Sequence, residues 1–191
     1  KGLDSPDYGS IINAAQYERL TAWLAEAKQA GAQVHPCASP ARDDGARRLV
    51  PHLLTEVPGH CQLMQQEIFG PLLPLVPYDS LDEALAYIAA RPRPLACYLM
   101  SLDPALQSRL IRETHAGGMA INECLFQVAA DDAPFGGIGP SGMGHYHGHE
   151  GFLTFSKAKG VFIKQRFNAA RLIYPPYGKS IQKLVYKLFV R

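Results

Sequence analysis

The first third of the chain shows a helical period of apolar positions. Apolar residues follow one another at three- and four-residue spacing from Tyr17 to Ala27, which predicts an amphipathic, half-buried helix. Asn13 stands before this pattern as a helix cap, and Gly31 stands just after it, where helices commonly end. Extended stretches are predicted next at residues 32–35 and 49–54, with a turn between them at residues 42–45.

The middle of the chain alternates predicted strands and helices. Residues 72–76 predict a strand, and the nearby prolines indicate an edge position or a short pairing. Ser80 and Glu83 form a capping box, in which each side chain accepts from the other residue's amide, so a helix is predicted through Arg91. A strand at 96–101, a helix from cap Asp103 and Pro104 to Gly117-Gly118, and a strand at 118–122 complete the pattern.

Strands separated by helices of this length predict right-handed crossovers and an α/β fold with a mostly parallel sheet and flanking helices. The 191 residues, 47% of them hydrophobic and 19% charged, are enough for one main domain with a proper core. No apolar run reaches the ~20 residues of a membrane span, and no signal peptide pattern opens the chain. We expect a cytoplasmic protein, and the start at Lys1 instead of Met indicates an excised fragment.

The net charge of +2 is unevenly distributed. Residues 157–191 carry +9 with no acid, and the remainder of the chain carries −7. Nucleic acid is a poor fit because no recognition motif accompanies the basic residues. Residues 181–189 predict a short basic amphipathic helix that either lies on a membrane or covers the substrate entrance of a subunit, and the protein contact is favoured.

Three features suggest site chemistry. The four cysteines, Cys37, Cys61, Cys97 and Cys124, are too scattered for a disulfide framework or a zinc site, so they are expected to be reduced thiols, with Cys97 in the core. Residues 137–142 match the dinucleotide fingerprint G-x-G-x-x-G, but Pro140 lies inside the match and residues 131–134 are not a strand. A turn-rich loop that shapes a pocket wall is the favoured interpretation.

His145, His147 and His149 alternate along the chain, and on a strand their imidazoles would share one face. That arrangement would suit a metal ion. The surrounding glycines argue against a rigid strand, however, and no fourth ligand is evident in the sequence. Polar histidines of a loop or a helix entry are therefore preferred, and no metal site is predicted.

Several longer motifs resemble the C-terminal part of the aldehyde dehydrogenases. They are EIFGP at 67–71, PLA-x-Y at 94–98, GGMAIN at 117–122, PFGG at 134–137 and SGMG at 141–144, in the order seen in that family. The resemblance covers nearly the whole chain. DYGSIIN at 7–13, YHG at 146–148 and YPP at 174–176 are more particular, and resemble the class 3 branch that includes the bacterial coniferyl aldehyde dehydrogenases.

The resemblance implies the oxidation of an aldehyde with NAD or NADP, through a cysteine thiolate and a glutamate base. In the family, these two groups lie upstream of the segment that this chain resembles. No cysteine here has the Gly-Gln-x-Cys context of the family's nucleophile. We therefore assign no catalytic residue, and we expect the chain to be inactive alone.

Four site residues are carried over from the family. Glu67 matches the glutamate that accepts hydrogen bonds from the nicotinamide-side ribose, and Phe69 matches the aromatic residue beside that ribose and the nicotinamide. Phe135 matches a residue that lines the aldehyde tunnel, with ordinary core packing as the alternative. Asn122 matches a residue that ends a strand near the catalytic loop, where a structural role is equally expected.

The predicted organisation has three parts: residues 1–156 as the C-terminal part of the catalytic domain, residues 157–166 as an oligomerisation strand and residues 167–191 as a basic amphipathic tail. A strand that pairs with another subunit resolves an exposed edge, and a homodimer is the state that the class 3 resemblance implies. The alternative is a non-enzymatic oligomerisation or interaction module that uses the same strand and tail.

Overall fold

The computed structural model describes residues 2–189. The chain divides into two compact units, Lys1–Ala90 and Arg91–Arg191. The sequence led us to expect one main domain. Within the described residues, however, the strands of each unit pair only with strands of the same unit, and the chain divides between Ala90 and Arg91. The boundaries at residues 156 and 166 stay a prediction.

The first unit opens with helix α1, Ala14–Gln29. The Asn13 side chain accepts a hydrogen bond from the Gln16 amide at 2.9 Å, and this satisfies a donor of the first turn. Gly31 follows with a φ of 101°, in the left-handed region where glycine carries little strain. Both predicted ends of this helix are confirmed.

The first unit continues through short strands and one helical turn. Its elements are β1 (Gln33–Pro36), β2 (Arg42–Asp43), β3 (Arg48–Leu49), β4 (His52–Thr55), α2 (Gln62–Gln65) and β5 (Leu72–Pro74). Strand β4 lies between antiparallel β1 and parallel β5, and β2 pairs with β3 as a separate hairpin around the predicted turn. Strand β5 is short and lies at an edge, as its prolines predicted.

The core of this unit lies between α1 and the three-stranded sheet. Leu20 of α1, Leu49 of β3 and Leu54 of β4 are at most 1% exposed, and Leu63 and Leu72 pack in the same cluster. Burying a leucine side chain stabilises a fold by ~1.5–3 kcal/mol. This core fixes α1 against the chain that leads into β5.

Helix α3, Leu81–Ala89, confirms the predicted helix but ends two residues earlier. The Ser80 hydroxyl accepts from the Glu83 amide at 3.2 Å, as predicted. The Glu83 carboxylate reaches beyond Ser80 and accepts from the Asp79 amide at 2.9 Å. The Glu83 side chain therefore binds the amide one residue before the one that the capping-box pattern predicted.

The second unit is built on two parallel strands. Its elements are β6 (Ala96–Leu99), α4 (Pro104–Glu113), β7 (Gly118–Ile121), α5 (Gly148–Thr154) and α6 (Ser180–Phe189). Strands β6 and β7 pair in parallel, and the Asp103 side chain caps α4 at the amides of Ala105 and Leu106. Helix α4 stops at Glu113, well before the predicted end at Gly117.

The alternation of helices and strands agrees with the predicted α/β class. Instead of one mostly parallel sheet, residues 2–189 contain three small sheets with two parallel and two antiparallel pairings. The antiparallel pairs arise where the chain returns through a turn or hairpin, because only parallel neighbours need a long crossover.

Residues 157–165 form no helix or paired strand, and Val161, Phe162 and Ile163 are 69%, 86% and 75% exposed. Pairing of this segment with a second subunit stays a prediction. The predicted tail helix is present as α6, whose buried Gln182 donates to the Tyr174 carbonyl at 3.0 Å. None of the helices in residues 2–189 has both the length and the apolar character needed to cross a bilayer.

Candidate functional site

In the first unit, Glu67 and Phe69 lie on the connection between α2 and β5. Both side chains are exposed, Phe69 to 85%, and the Glu67 carboxylate has no hydrogen-bond partner among the described residues. Phe69 is one of several large apolar side chains that are exposed in the described residues, so its significance lies in its place beside Glu67. The segment therefore presents a carboxylate and a ring together, two residues apart.

Arg19 of α1 holds this segment by its backbone. Its Nη2 donates to the Ile68 carbonyl at 2.7 Å, and its Nη1 lies 3.5 Å from the Glu67 carbonyl. Its Nε donates to Gln16, and its guanidinium lies 4.2 Å from the centre of the Trp23 ring. Because the guanidinium is fixed from several sides, it can hold the two carbonyls in one position.

Gly70 brings the same segment close to α1. A Cβ atom at this position would lie 2.7 Å or less from both terminal methyl groups of Leu20, a core residue. Phe69 has a φ of 44°, in the left-handed region that costs a non-glycine residue ~1–2 kcal/mol. The backbone is thus packed against the helix while the Glu67 and Phe69 side chains extend from it.

This arrangement fits a ribose joined to a flat ring. A carboxylate offers two acceptor oxygens, which suits the two hydroxyl donors of a vicinal diol. An exposed aromatic ring offers an apolar face to a planar group. The residues present in the first unit therefore fit the nicotinamide half of a dinucleotide, as the sequence resemblance implied for Glu67 and Phe69.

In the second unit, Phe135 belongs to a small aromatic cluster. The backbones of Phe135 and Tyr146 exchange two hydrogen bonds of 2.9 Å, and their rings meet edge to face with centres 5.6 Å apart. The His147 ring stacks on Phe135 at 6.1 Å and meets Tyr146 at 4.6 Å. Phe135 is half-buried, so its position is fixed by neighbours that are close in space and distant in sequence.

His147 itself is held in an unusual conformation. Its φ is 74°, and its Nδ1 is buried without a hydrogen-bond partner in the described part of the chain. Across residues 2–189, no group of three or more His, Cys, Asp or Glu side chains is placed to hold a metal ion. Within the aromatic cluster, the side chain of His147 acts as a ring that packs against two others.

The glycine-rich segment is packed backbone against backbone. A Cβ atom on Gly136 would overlap the Gly144 carbonyl, and one on Gly117 would overlap the Gly136 carbonyl. The segment has a short 3₁₀ turn at Gly139–Ser141, with no strand directly before it and no α-helix opening across it. The segment is a turn-containing loop, as predicted, and it lacks the strand and the helix that flank a dinucleotide fingerprint.

A cavity of about 370 Å³ lies along this segment. Phe135, Leu95, Met143, Tyr146 and Phe155 supply its apolar side chains, and glycine backbone supplies much of the rest. A volume of this size is within the range of small-molecule sites, where apolar walls bind the body of a ligand. Phe135 thus borders this cavity while its ring packs on Tyr146 and His147, and its role in an aldehyde tunnel stays a prediction.

Asn122, the other residue predicted for the substrate pocket, has a different role in this structure. Its Oδ1 accepts from the Ser101 amide at 2.7 Å and its Nδ2 donates to the Ser101 carbonyl at 2.9 Å. It does not line the cavity beside Phe135. The amide group ties the end of β7 to the end of β6, which favours the structural role that the sequence left open.

The four cysteines are free thiols. Burial raises the pKa of the Cys61 and Cys97 thiols, and the charge of Glu26 raises the pKa of Cys61 further. A raised pKa keeps a thiol protonated, which is the opposite of what a nucleophile needs. Cys97 is half-buried rather than fully in the core, while Cys61, for which no position was predicted, is fully buried.

Sequence reasoning missed the contacts of Arg19 with the backbone of residues 67–68 and of His147 with the Phe135 ring. The helical pattern around Arg19 predicts only which apolar positions are buried. It gives no indication of the contacts of Arg19 with carbonyls 48 and 49 residues away. The alternating histidines direct attention to metal binding and away from ring packing. The YHG sequence at residues 146–148 was a usable signal, since it marked the histidine as part of a motif.

Comparisons with known proteins agree with the motifs. The model of the aldehyde dehydrogenase family matches residues 1–161. A probable coniferyl aldehyde dehydrogenase of Pseudomonas aeruginosa is 61% identical over 188 residues, which cover 98% of this chain and 39% of that protein. Aldehyde dehydrogenase family 3 member A2 of Pongo abelii is 39% identical over 180 residues, covering 93% of this chain and 36% of the relative.

A solved structure shows the same fold. The substrate-bound AldH of Staphylococcus aureus superposes with a TM-score of 0.76 at 42% identity, over 97% of this chain and 39% of that protein. This likeness confirms the predicted fold class. This chain spans somewhat more than a third of the length of the relatives that it matches. The family model and the close relatives cover most of its residues, and the chain belongs to the aldehyde dehydrogenase family.

Proposed function

We propose that this chain is the C-terminal part of an NAD- or NADP-dependent aldehyde dehydrogenase that oxidises an aldehyde to the carboxylic acid. The substrate is an aromatic aldehyde of the coniferyl type. The observation that carries the proposal is the exposed Glu67 and Phe69 pair on a backbone fixed by Arg19. The 61% identical relative, named as a probable coniferyl aldehyde dehydrogenase, supports the substrate class.

In this proposal the chain binds and orients, and the nucleophile and base come from the part of the protein that the family carries upstream. When bound, the dinucleotide would supply the hydride acceptor for the oxidation. Glu67 accepts hydrogen bonds from the ribose hydroxyls and Phe69 packs beside them, so the nicotinamide is held in one orientation. Phe135 lines the aldehyde's path, with Tyr146 and His147 fixing its ring. The chain alone is expected to be inactive.

The cofactor role of Glu67 is tested by changing Glu67→Gln in the full-length protein. Loss of charge-assisted hydrogen bonds costs ~1.5–3 kcal/mol, so the KM for the dinucleotide should rise at least tenfold while the KM for the aldehyde stays the same. Glu18→Gln is the matched control, because Glu18 is an exposed residue of the same unit and loses the same charge. An unchanged dinucleotide KM in Glu67→Gln would contradict the ribose contact.

The substrate class is tested separately, by comparing kcat/KM for coniferyl aldehyde and hexanal. We expect the aromatic aldehyde to be preferred, and Phe135→Ala to reduce that preference by about twofold to tenfold, because an aromatic pair is worth ~0.5–1.5 kcal/mol. Equal or better use of hexanal by the unmodified protein would exclude the aromatic assignment and leave the dehydrogenase activity standing.

A homodimer is part of the proposal. Three adjacent apolar side chains at residues 161–163 are exposed and unpaired within the described chain, as expected for a strand that a second subunit completes. Light scattering of the full-length protein should give a dimer mass, and Phe162→Lys should shift it toward the monomer. A dimer unaffected by Phe162→Lys would place the interface elsewhere.

A further inference from the structure

A second cavity lies in the first unit, along the C-terminal half of α1, strand β1 and the β2–β3 hairpin. Its volume is about 640 Å³, and Glu67 and Phe69 take no part in its walls. The lining is mostly aliphatic, with Leu24, Val34 and Leu49 among the side chains. This size and composition are typical of a site for a small organic molecule.

One polar wall is His52, on the central strand of the sheet. It is 4% exposed, and its Nδ1 lies 2.6 Å from the Val50 carbonyl. Because a carbonyl only accepts, Nδ1 carries a proton, and the neutral ring then has its lone pair on Nε2. The described chain provides no partner for that atom. A ring nitrogen without a protein partner can accept a hydrogen bond from a hydroxyl group of a ligand.

The charged side chains that line the cavity are both cations. Lys28 and Arg42 line the cavity, and no carboxylate does. Arg42 is already engaged, since its Nε lies 3.3 Å from an Asp44 oxygen. Lys28, in the last turn of α1, has no acidic partner within the described residues. The cavity therefore combines apolar side chains, one cation without an acidic partner and one ring nitrogen without a protein partner in the described chain.

We propose that this cavity binds a small monocarboxylate with an apolar body and a hydroxyl group. The carboxylate pairs with Lys28, the body packs on Leu24, Val34 and Leu49, and the hydroxyl donates to His52. A neutral ligand would leave Lys28 unmatched, and a dianion would meet a single free cation. The cavity shares no lining residue with the segment that carries Glu67 and Phe69, and binding there does not depend on the proposed oxidation.

The test uses the full-length protein with labelled leucine and valine methyl groups, and 4-hydroxybenzoate as the probe. The methyl resonances of Leu24, Val34 and Leu49 should shift in a saturable manner, and those of exposed Leu73 on β5 should not. The neutral isostere 4-hydroxybenzamide should bind roughly threefold to fivefold more weakly, since it lacks the charge that Lys28 recognises. Benzoate, without the hydroxyl, should also bind more weakly.

Lys28→Gln should weaken the affinity for 4-hydroxybenzoate roughly threefold to fivefold, the range of a partly exposed ion pair. Gln29→Glu is the matched control: it makes the same change in net charge at the adjacent helix position, which does not line the cavity, and it should leave the affinity within about twofold. Both side chains are exposed, so neither change threatens folding.

Three results would overturn the proposal: no shift of the three methyl groups at ~20 mM probe, well beyond a millimolar dissociation constant; equal binding of the amide; or equal weakening by Lys28→Gln and Gln29→Glu. The cavity resonances are read directly, so binding of the probe at the aldehyde site is distinguished from binding here. Dehydrogenase activity measured on the same samples reports on the proposed function independently.

Discussion

Replacing Arg19 with methionine is the sharpest test of how residues 67–69, the proposed cofactor-binding segment, are held in place. Methionine keeps an unbranched apolar stem near Trp23 but donates no hydrogen bond. The 2.7 Å bond to the Ile68 carbonyl is charge-assisted and worth ~1.5–3 kcal/mol, whereas the 3.5 Å contact to Glu67 is at the limit of a hydrogen bond and adds little. The contact with Trp23 adds ~0.5–1 kcal/mol.

About half of this energy should appear as reduced cofactor affinity, because Gly70 still packs against Leu20 and retains part of the geometry. We therefore expect the KM for the dinucleotide to rise roughly tenfold, which corresponds to ~1.4 kcal/mol. The KM for the aldehyde should not change. Arg112→Met, which removes an exposed arginine of α4, is the control and should leave both constants as they are.

The measurement separates positioning from simple stabilisation. If Arg19 only stabilised the fold, Arg19→Met would lower the melting temperature and leave the dinucleotide KM unchanged. If it disrupted the unit as a whole, both KM values would rise together. Either outcome would refute the argument that Arg19 acts by fixing the backbone of residues 67–68.

Three further predictions follow from the packing and titration of single residues. Gly136→Ala should destabilise the protein by several kcal/mol and yield little folded material, because its Cβ would overlap the Gly144 carbonyl; the yield and melting temperature of purified protein test this. Asn122→Ala should lower the free energy of unfolding by ~2 kcal/mol, measured in urea, because both bonds to Ser101 are removed, while a changed aldehyde KM at unchanged stability would show a direct pocket role instead. Burial, and then the hydrogen bond to Asp44, raise the pKa of Tyr17 to about 12, so the folded state holds the Tyr17 proton more tightly than the unfolded state. The contribution of Tyr17 to the free energy of unfolding should therefore be fully present below pH 10 and fall between pH 10 and 12. Urea unfolding across this pH range should show a smaller fall in Tyr17→Phe.

The elements set by local chemistry were predictable from the sequence. Asn13 and Gly31 each act within a few residues of α1, and their patterns specify the ends of that helix. The antiparallel pairing of β1 with β4 was not predictable, because β4 returns to β1 only after the separate hairpin of β2 and β3. Pairing of this kind depends on tertiary packing and leaves no periodic signal.

The candidate site also combines features that local sequence predicts with features that depend on tertiary packing. Glu67, Phe69 and Phe135 could be proposed as site residues because they stand in continuous motifs, and their roles stay predictions. The bond from Arg19 to the Ile68 carbonyl crosses 49 residues and recognises only a backbone atom, so no side-chain pattern could indicate it. The second cavity was missed for a similar reason: its lining comes from separate segments, none of which carries a motif.

The backbone conformation of Phe69 has a consequence for anyone who engineers this protein. A left-handed φ of 44° and an 85% exposed ring are both unfavourable for folding, so a redesign that optimises stability alone would replace Phe69 with glycine or a polar residue. Such a change could gain ~1–2 kcal/mol and raise the yield of soluble protein. Under the function proposed above, it would also produce a better folded protein that holds the dinucleotide less well, so thermostability screens should be paired with a measurement of dinucleotide affinity.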